Sequence, residues 1–346
     1  MKHPAILFCL AASTLCAAGP EFPIASFDMR VVDEGGKPMV KVPVEGAFYW
    51  YGGVQAVTKT TNKWGTVHFE SATEEYPEIV CSIEGYYKST LYVAHDGQRK
   101  GYWKMKNPNQ VMVLRRIVNP VPMYVVTQLA IEMPRIGKAA FDLEKQAWVA
   151  PDGKGVKPDL VFTLERKGDE KQGEATLRLT FSNPGDGLIP VPAIARGGSE
   201  LQFPREAPAA GYQPERKWHR RWIDSDKPEV TRELNVLTVN EVVGENIMRV
   251  KANPLPVGYF FRVRTVLNEK GVAVSALYAK MQGGNSIMYQ MFTGSEFDWD
   301  PNYETKTARM KLTYCLNPDG TRNLEFDVKK NLSKDLNPEN EVIQPW

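Results

Sequence analysis

The sequence predicts an all-β protein, in which an N-terminal Ig-like β-sandwich is followed by a larger, sandwich-like β-rich domain. Short runs that alternate apolar and polar side chains recur along the 346 residues, and such runs are typical of half-buried strands. The 27 Gly and 25 Pro residues are scattered between these runs as turn residues. Stretches with helical periodicity are scarce, and Pro134 interrupts the best of them, residues 127–139.

Composition and charge argue against several classes of function. The 43 Lys and Arg residues nearly balance the 41 Asp and Glu residues, so no global field favours nucleic acid or an anionic membrane. The hydrophobic content of 42% is sufficient for packed cores, and the length suits about two domains. The sequence contains no P-loop, dinucleotide fingerprint or Gly-x-Ser-x-Gly elbow. We therefore expect no nucleic-acid partner and no cofactor.

Residues 1–18 are predicted to be a signal peptide. Lys2 and His3 form a basic start, and Ala5–Ala18 is an apolar run that is too short to span a bilayer as a helix. The alternatives are a buried N-terminal strand and a lipoprotein anchor at Cys16. No later stretch is long and apolar enough to cross a membrane. We therefore expect an exported protein in the periplasm, at the cell surface or outside the cell.

The first domain, residues 19–118, is predicted to contain about seven strands. Phe27–Val32 alternates as a half-buried strand does, and Asp33–Pro38 is a turn whose glycines can adopt positive φ. This spacing of short runs and turns is typical of β-sandwiches. The further runs are Met39–Val44, Phe48–Tyr51, Thr66–Phe69, Pro77–Ile83, Tyr87–Val93, Tyr102–Met105 and Val111–Arg116.

Three motifs in this domain match the pattern of one family. Val32–Val44 contains Asp-x-x-Gly-x-Pro between two strands, Thr58–Phe69 leads a strand through Gly65, and Glu84–Tyr86 contains Gly-Tyr after a strand. Over about residues 26–116 the chain resembles the carboxypeptidase-regulatory-like domain. The resemblance implies a prealbumin-like, non-catalytic accessory sandwich. It implies no peptidase, and the His-x-x-Glu zinc motif of the metallocarboxypeptidases is absent from the sequence.

Residues 119–124 are predicted to be a linker, because two prolines restrict the backbone there. The second domain, residues 125–330, opens with the block Phe141–Lys145, Trp148–Gly155 and Asp159–Phe162. This block resembles secreted bacterial proteins of no assigned function and implies no activity.

Alternating runs continue through the second domain. Asn268–Gly271 is predicted to be a hairpin turn between two of them, and residues 331–346 are predicted to be an irregular tail. The runs are residues 173–182, 246–252, Tyr259–Leu267, Val272–Lys280, Ser286–Thr293, Met310–Leu316 and Asn323–Val328.

Cys81 and Cys315 are the cysteines that remain after the predicted signal peptide. Both lie in apolar, strand-like runs of different predicted domains, and two cysteines do not make a disulfide framework. A bridge needs Cα atoms within about 7 Å. We therefore expect two buried, free thiols.

The stretch Arg216–Trp222 is a candidate ligand-binding site. Its guanidinium groups and indole rings suit an acidic glycan, which they would bind by charge-assisted hydrogen bonds and stacking. The alternative is a packed strand whose basic side chains extend to solvent, with the two Trp rings buried. Four side chains would share one face of a strand: Arg216, Trp218, Arg220 and Trp222.

A candidate calcium site lies in residues 298–304. Clustered oxygen-bearing side chains there suit calcium, which prefers oxygen ligands. The alternatives are a solvated turn and, for the two aspartates, a catalytic carboxylate pair such as glycosidases use. The four side chains at alternate positions are Asp298, Asp300, Asn302 and Glu304.

The aromatic run Phe48–Tyr51 is a candidate platform for sugar stacking. Alternation along a strand sends half of these side chains to the core and half to the opposite face. The alternative is that all of them serve packing.

These observations favour an exported, non-catalytic binding or structural module whose partner is a glycan or a surface protein. The alternative is a polysaccharide-acting hydrolase with its site in residues 120–346. A cleft with two convergent carboxylates would favour the hydrolase, whereas flat, packed sheets would favour the module.

We predict that the exported protein begins close to Gly19, because the basic start, the apolar run and the small residues before Gly19 form a cleavage signal. Intact-mass measurement of the exported fraction should show this start. Detection of Met1 in that fraction would contradict the prediction.

Overall fold

The structure, a computed structural model, describes residues 22–169, 172–192, 198–223, 256–282, 299–301 and 307–333. These residues are all-β, as predicted, and they contain no helix that could cross a membrane. The chain divides into two compact units. The first runs to Arg115 and includes Gly197–Ser199, and the second comprises Arg116–Arg196 and the residues from Glu200 onward. The predicted signal peptide lies outside the described residues.

The first unit is a β-sandwich whose described strands form two sheets. One has the order β4-β1-β8-β7, with β9 also paired to β1, and the other has the order β3-β2-β5-β6. The strands are β1 Ile24–Asp33, β2 Pro43–Trp50, β3 Gly53–Thr60, β4 Thr66–Ala72, β5 Glu78–Cys81, β6 Ser89–Tyr92, β7 His95–Arg99, β8 Tyr102–Met105 and β9 Asn109–Leu114.

The core of this unit lies between its two sheets. Alternation along β1 buries Phe27, Met29 and Val31 in one apolar cluster, and each such side chain contributes about 1.5–3 kcal/mol by leaving water. Phe27 stacks on Phe69 of β4 with ring centroids 5.7 Å apart. The period-2 pattern of the sequence therefore sets which face of β1 points inward.

Two details of the first unit differ from the predicted strands. Only Pro43 and Val44 of the predicted run Met39–Val44 lie in a strand, and that strand, β2, also contains Phe48–Trp50 of the second predicted run. Strand β3 was not predicted, because all of its residues are exposed or half-buried and it lacks a buried apolar stripe. Gly52, with φ of +91°, lies in the turn that joins the two strands.

The second unit also contains two sheets in its described part. One has the order β15-β17-β18-β20-β10-β21, with β19 paired to β20, and the other has the order β12-β11-β13-β14-β16. The strands are β10 Val121–Glu132, β11 Gly137–Asp142, β12 Ala147–Trp148, β13 Leu160–Gly168, β14 Gln172–Thr180, β15 Gly187–Pro192, β16 Glu215–Ile223, β17 Pro256–Leu267, β18 Ala273–Gln282, β19 Trp299–Pro301, β20 Ala308–Asn317 and β21 Phe326–Asn331.

The larger sheet of the second unit is covered on both faces. On β20, Tyr314 belongs to the cluster shared with the five-stranded sheet, whereas the adjacent Cys315 belongs to a second cluster that contains Phe203 and Phe326. From Leu312 onward every residue of β20 is buried, and burial on both faces explains this nearly continuous apolar run. Residues 246–252 and Ser286–Thr293, which were predicted as strands, lie outside the described residues.

Two smaller predictions are confirmed. The backbone of Asn268–Gly271 closes the β17–β18 hairpin, with Asn268 N–H donating to the carbonyl of Val272 at 2.9 Å. Cys81 and Cys315 are both free and buried. Burial raises the pKa of the Cys81 thiol to about 11 and that of Cys315 to about 12, so both thiols are protonated and unreactive at neutral pH.

The guanidinium group of Arg264 on β17 contacts three carboxylates, those of Asp142, Glu144 and Asp159. We call these four residues the Arg264 cluster. Arg264 has a φ of 55° and lies where the pairing of β17 with β18 shifts register. Its Nε and Nη2 donate to the two oxygens of Asp159 at 2.8 and 2.9 Å. Its Nη1 donates to Glu144 at 2.7 Å, and Nη2 lies 3.4 Å from Asp142.

Backbone N–H groups complete the coordination of Asp142. Lys145 donates to its Oδ1, and Val156 and Lys157 donate to its Oδ2. Burial alone would raise the pKa of Asp142, but these donors and Arg264 outweigh it and lower that pKa. The carboxylate is therefore held ionised, and it fixes the loops on both sides of β12.

We predict that Arg264→Met lowers the free energy of unfolding by about 3 kcal/mol, because Asp142 and Asp159 stay buried without their cation. Urea unfolding of the full chain measures this. Lys217→Met is the control, since Lys217 pairs with Glu215 at the surface and its loss should cost less than about 1 kcal/mol. Equal effects of the two changes would show that the cluster does not stabilise the fold.

Candidate functional site

An open groove of ≈ 550 Å³ lies on the first unit, and we call it the tyrosine groove. Its floor comes from strands β2, β5 and β6, and its wall comes from the β4–β5 connection and the start of β7. The lining residues are Tyr49, Glu74, Glu75, Tyr76, Glu78, Tyr92 and His95.

Strand register builds the floor of the groove. Phe48 is fully buried, so its neighbour Tyr49 faces away from the core. Glu78 of β5 lies opposite Ala47 of β2 on one side and opposite Tyr92 of β6 on the other. Directly opposed residues share a face of the sheet. Tyr49, Glu78 and Tyr92 therefore meet on the outward face of adjacent strands.

The Glu78 carboxylate holds both phenol groups. Tyr49 donates its hydroxyl to Oε2 at 2.7 Å, and Tyr92 donates to Oε1 at 3.2 Å. The hydrogen bond to Glu78, followed by burial, raises the pKa of Tyr49 to about 12. Burial, followed by the charge of Glu78, also raises the pKa of Tyr92. Both phenols are therefore neutral, and both of their protons point to Glu78.

The wall of the groove is fixed to its floor by Thr73, which is fully buried. The Thr73 hydroxyl accepts the backbone N–H of Tyr49 at 3.1 Å and lies 2.9 Å from the carbonyl of Glu75. The backbone N–H of Glu74 donates to the carbonyl of Tyr49 at 2.7 Å. These bonds hold the exposed side chains of Glu74, Glu75 and Tyr76 beside the floor.

An aromatic stack closes one end of the groove. The His95 ring lies over Trp103 with centroids 3.8 Å apart, and it meets Tyr76 edge-on at 4.8 Å. Trp103 Nε1 donates to the carbonyl of Thr73 at 2.8 Å, which fixes the stack to the wall. Burial lowers the pKa of His95, against the opposing effects of the Glu75 carbonyl and the Asp96 charge.

This arrangement has the chemistry of a binding site. It combines concave shape, ring faces and a small number of fixed polar groups, which is the form that ligand sites take. Across the described ranges, no three His, Cys, Asp or Glu residues are grouped as a metal would require. Of the sequence-predicted site features that the structure describes, only the aromatic run Phe48–Tyr51 contributes to the groove, through Tyr49.

Strand β16 contains the predicted ligand stretch Arg216–Trp222 and pairs with β14. Trp218 is 1% exposed and packs edge-on against Tyr259 at 6.1 Å. The hypothesis that the Trp218 ring stacks on a sugar is therefore wrong, because this face of the strand at Trp218 points into the core.

The other members of that stretch are only partly described. Arg216 is half-buried. The backbone register places Arg220 opposite Ala175 and Trp222 opposite Gly173, whereas the side chains of Arg220 and Trp222 lie outside the described residues. Their role in ligand binding stays a prediction.

The predicted calcium site lies almost wholly outside the described residues. Asp298, Asn302 and Glu304 are not described, and of Asp300 only the backbone is, in β19 opposite Arg309. The calcium hypothesis and its alternatives stay predictions.

Sequence reasoning missed the tyrosine groove. Its residues come from four separate segments, and only strand register and the Thr73 contacts bring them together. The one local signal is the polar and aromatic composition of Glu74–Tyr76 in a connection between strands, because functional residues often lie in loops on a rigid scaffold.

No family model matches the sequence, and neither does any curated protein. Solved structures match it only distantly. A 3-chlorocatechol 1,2-dioxygenase from Rhodococcus opacus matches over 28% of this chain, with 12% identity and a TM-score of 0.24. This match spans 61% of the dioxygenase, which is less than two thirds of its length.

Two other distant matches cover more of this chain. A DUF3823 family protein from Parabacteroides merdae matches over 74% of this chain and 96% of its own, with 9% identity and a TM-score of 0.20. A Bacteroides uniformis protein for which carbohydrate binding is suggested matches over 84% and 98%, with 10% identity and a TM-score of 0.18. Likeness at this level carries no argument about this chain.

We predict that the His95 ring titrates below about pH 6.5, because burial disfavours its charged form. The unfolded chain then binds the proton first, so the free energy of unfolding falls as the pH drops from about 7 to about 5. His95→Phe keeps a ring against Trp103 and should lessen this fall. NMR titration of the ring and urea unfolding at both pH values measure these effects. A midpoint at or above about 6.5 would contradict the prediction.

Proposed function

We propose that the first unit is a non-catalytic glycan-binding module and that the tyrosine groove is its ligand site. The observation that carries the proposal is an open groove lined by three tyrosines and three glutamates, in which the Glu78 carboxylate holds two of the tyrosine hydroxyls. A predicted export signal and the resemblance to the carboxypeptidase-regulatory-like domain agree with it, because that family consists of accessory sandwiches. The glycan would then be one met in the periplasm, at the cell surface or outside the cell.

The groove contains the two kinds of group that bind a saccharide, aromatic rings and hydrogen-bond acceptors. A sugar ring has apolar C–H faces and hydroxyl groups at its edge. Tyr76 and Tyr92 are 45% and 66% exposed, so their rings can pack against such faces. Glu74 and Glu75 line the same groove, and their carboxylate oxygens can accept hydroxyl protons. The site thus combines stacking with directional hydrogen bonds.

The polar groups of the groove favour binding over catalysis. Both oxygens of Glu78 accept phenol protons, so this carboxylate orients rings. A glycosidase needs one carboxyl group that keeps a proton for the leaving oxygen and a second that stays ionised. The described contacts of Glu78 serve neither role.

The carboxylates of the Arg264 cluster likewise support a structural role. Asp142 and Asp159 are each 1% exposed, and Arg264 and backbone N–H groups occupy their oxygens. In this part of the second unit, the two buried aspartates are therefore inaccessible to a substrate as an acid–base pair.

The test is retention of the full chain on affinity gels that contain soluble polysaccharides of different composition, followed by calorimetry with the best ligand. Tyr76→Ala and Tyr92→Ala should each weaken binding about tenfold, since each removes a stacking ring. Tyr102→Ala is the matched control, because Tyr102 is 44% exposed on the same unit but does not line the groove. Failure of every polysaccharide to bind, or equal loss in all three variants, would overturn the proposal.

A further inference from the structure

Resting on the proposed glycan site, we infer that the tyrosine groove selects saccharides that carry free, protonated amines over N-acetylated and acidic saccharides. Three features of the groove carry this inference: its charge, the direction of its hydrogen bonds and its ring faces.

The groove is locally acidic in a chain that is nearly neutral. Glu74, Glu75 and Glu78 line it, and among the described lining residues there is no Lys or Arg. Among the described ion pairs none involves these three carboxylates. The formal net charge of the whole chain is +2, so the negative potential belongs to the groove and falls off over about 8–10 Å at physiological salt.

The groove also presents mainly hydrogen-bond acceptors. Ionised carboxylates only accept hydrogen bonds. Tyr49 and Tyr92 direct their protons to Glu78, so their oxygens offer lone pairs to a ligand. An ammonium group brings three donors and a positive charge, and charge-assisted hydrogen bonds are roughly twice as strong as neutral ones. An N-acetyl group at the same position brings one donor, one acceptor and no charge, so its amide forms weaker, neutral hydrogen bonds with the acceptors that an ammonium group would bind.

The tyrosine ring faces also favour a positively charged ligand. Tyr76 and Tyr92 border the carboxylates and are partly exposed, and the face of a tyrosine ring attracts a cation. A uronic acid or a sulfated sugar would instead place like charges together, and that repulsion is a common source of discrimination between ligands.

The experiment compares four probes by calorimetry with the full chain: β-1,4-linked glucosamine oligomers, the same oligomers N-acetylated, galacturonic acid oligomers and oligolysine. The buffer keeps the sugar amines protonated. The glucosamine oligomers should bind about tenfold more tightly than their N-acetylated form. Raising the salt concentration should weaken the first and leave the second nearly unchanged.

Glu75→Gln tests the charge with little change in shape. The Glu75 side chain is exposed, so the substitution should not affect folding. It should reduce the preference for the free amine several-fold, because binding of the glucosamine oligomer loses a charge-assisted contact whereas the glutamine amide oxygen can still accept a hydroxyl proton from either oligomer. Glu45→Gln is the matched control, because Glu45 is exposed on β2 of the same sheet but does not line the groove. This control should keep the full preference.

Each outcome decides between the two proposals. If the N-acetylated or acidic oligomers bind as tightly as the free amines, the inference about charge is overturned and the glycan site stands. If oligolysine binds at the groove more tightly than the amino sugar, the groove takes a basic peptide and both proposals fail. If none of the saccharides binds, the proposed glycan function itself fails.

Discussion

The pairing of Arg264 with Asp159 is the interaction on which the second unit depends. It joins a β-bulge in the seven-stranded sheet to the segment that enters β13 of the five-stranded sheet. Burial of charges is unfavourable unless every partner is present, and here backbone N–H groups complete the set at Asp142. The apolar cluster between the sheets supplies most of the burial, and the Arg264 cluster fixes how the loops at its edge are arranged.

The first unit uses the same principle with weaker groups. Thr73 is buried and connects the β4–β5 segment to β2, and Glu78 connects Tyr49 to Tyr92 across three strands. In both units one carboxylate, Asp142 or Glu78, accepts hydrogen bonds from separate segments of the chain. Such satisfied networks specify one arrangement of the chain more strongly than apolar contacts do.

The fold class, the strand β1 and the β17–β18 hairpin were predictable because they follow from local alternation and turn residues. Strand β3 was not, since its side chains are largely solvated and only pairing with β2 makes it a strand. Alternation in β16 identified two faces correctly but could not tell which is buried, and Trp218 proved to point inward. The tyrosine groove was out of reach, because it depends on register between strands distant in sequence.

The double hydrogen bond at Glu78 has a thermodynamic consequence for any ligand of the groove. Two of its tyrosine rings are already held in one orientation before a ligand arrives. Immobilising a flexible side chain on association costs about 0.5–1.5 kcal/mol, and for these two rings much of that entropy is lost when the chain folds. Because folding has already ordered these two rings, binding loses less conformational entropy. This lower cost would help a shallow and open groove to retain a ligand.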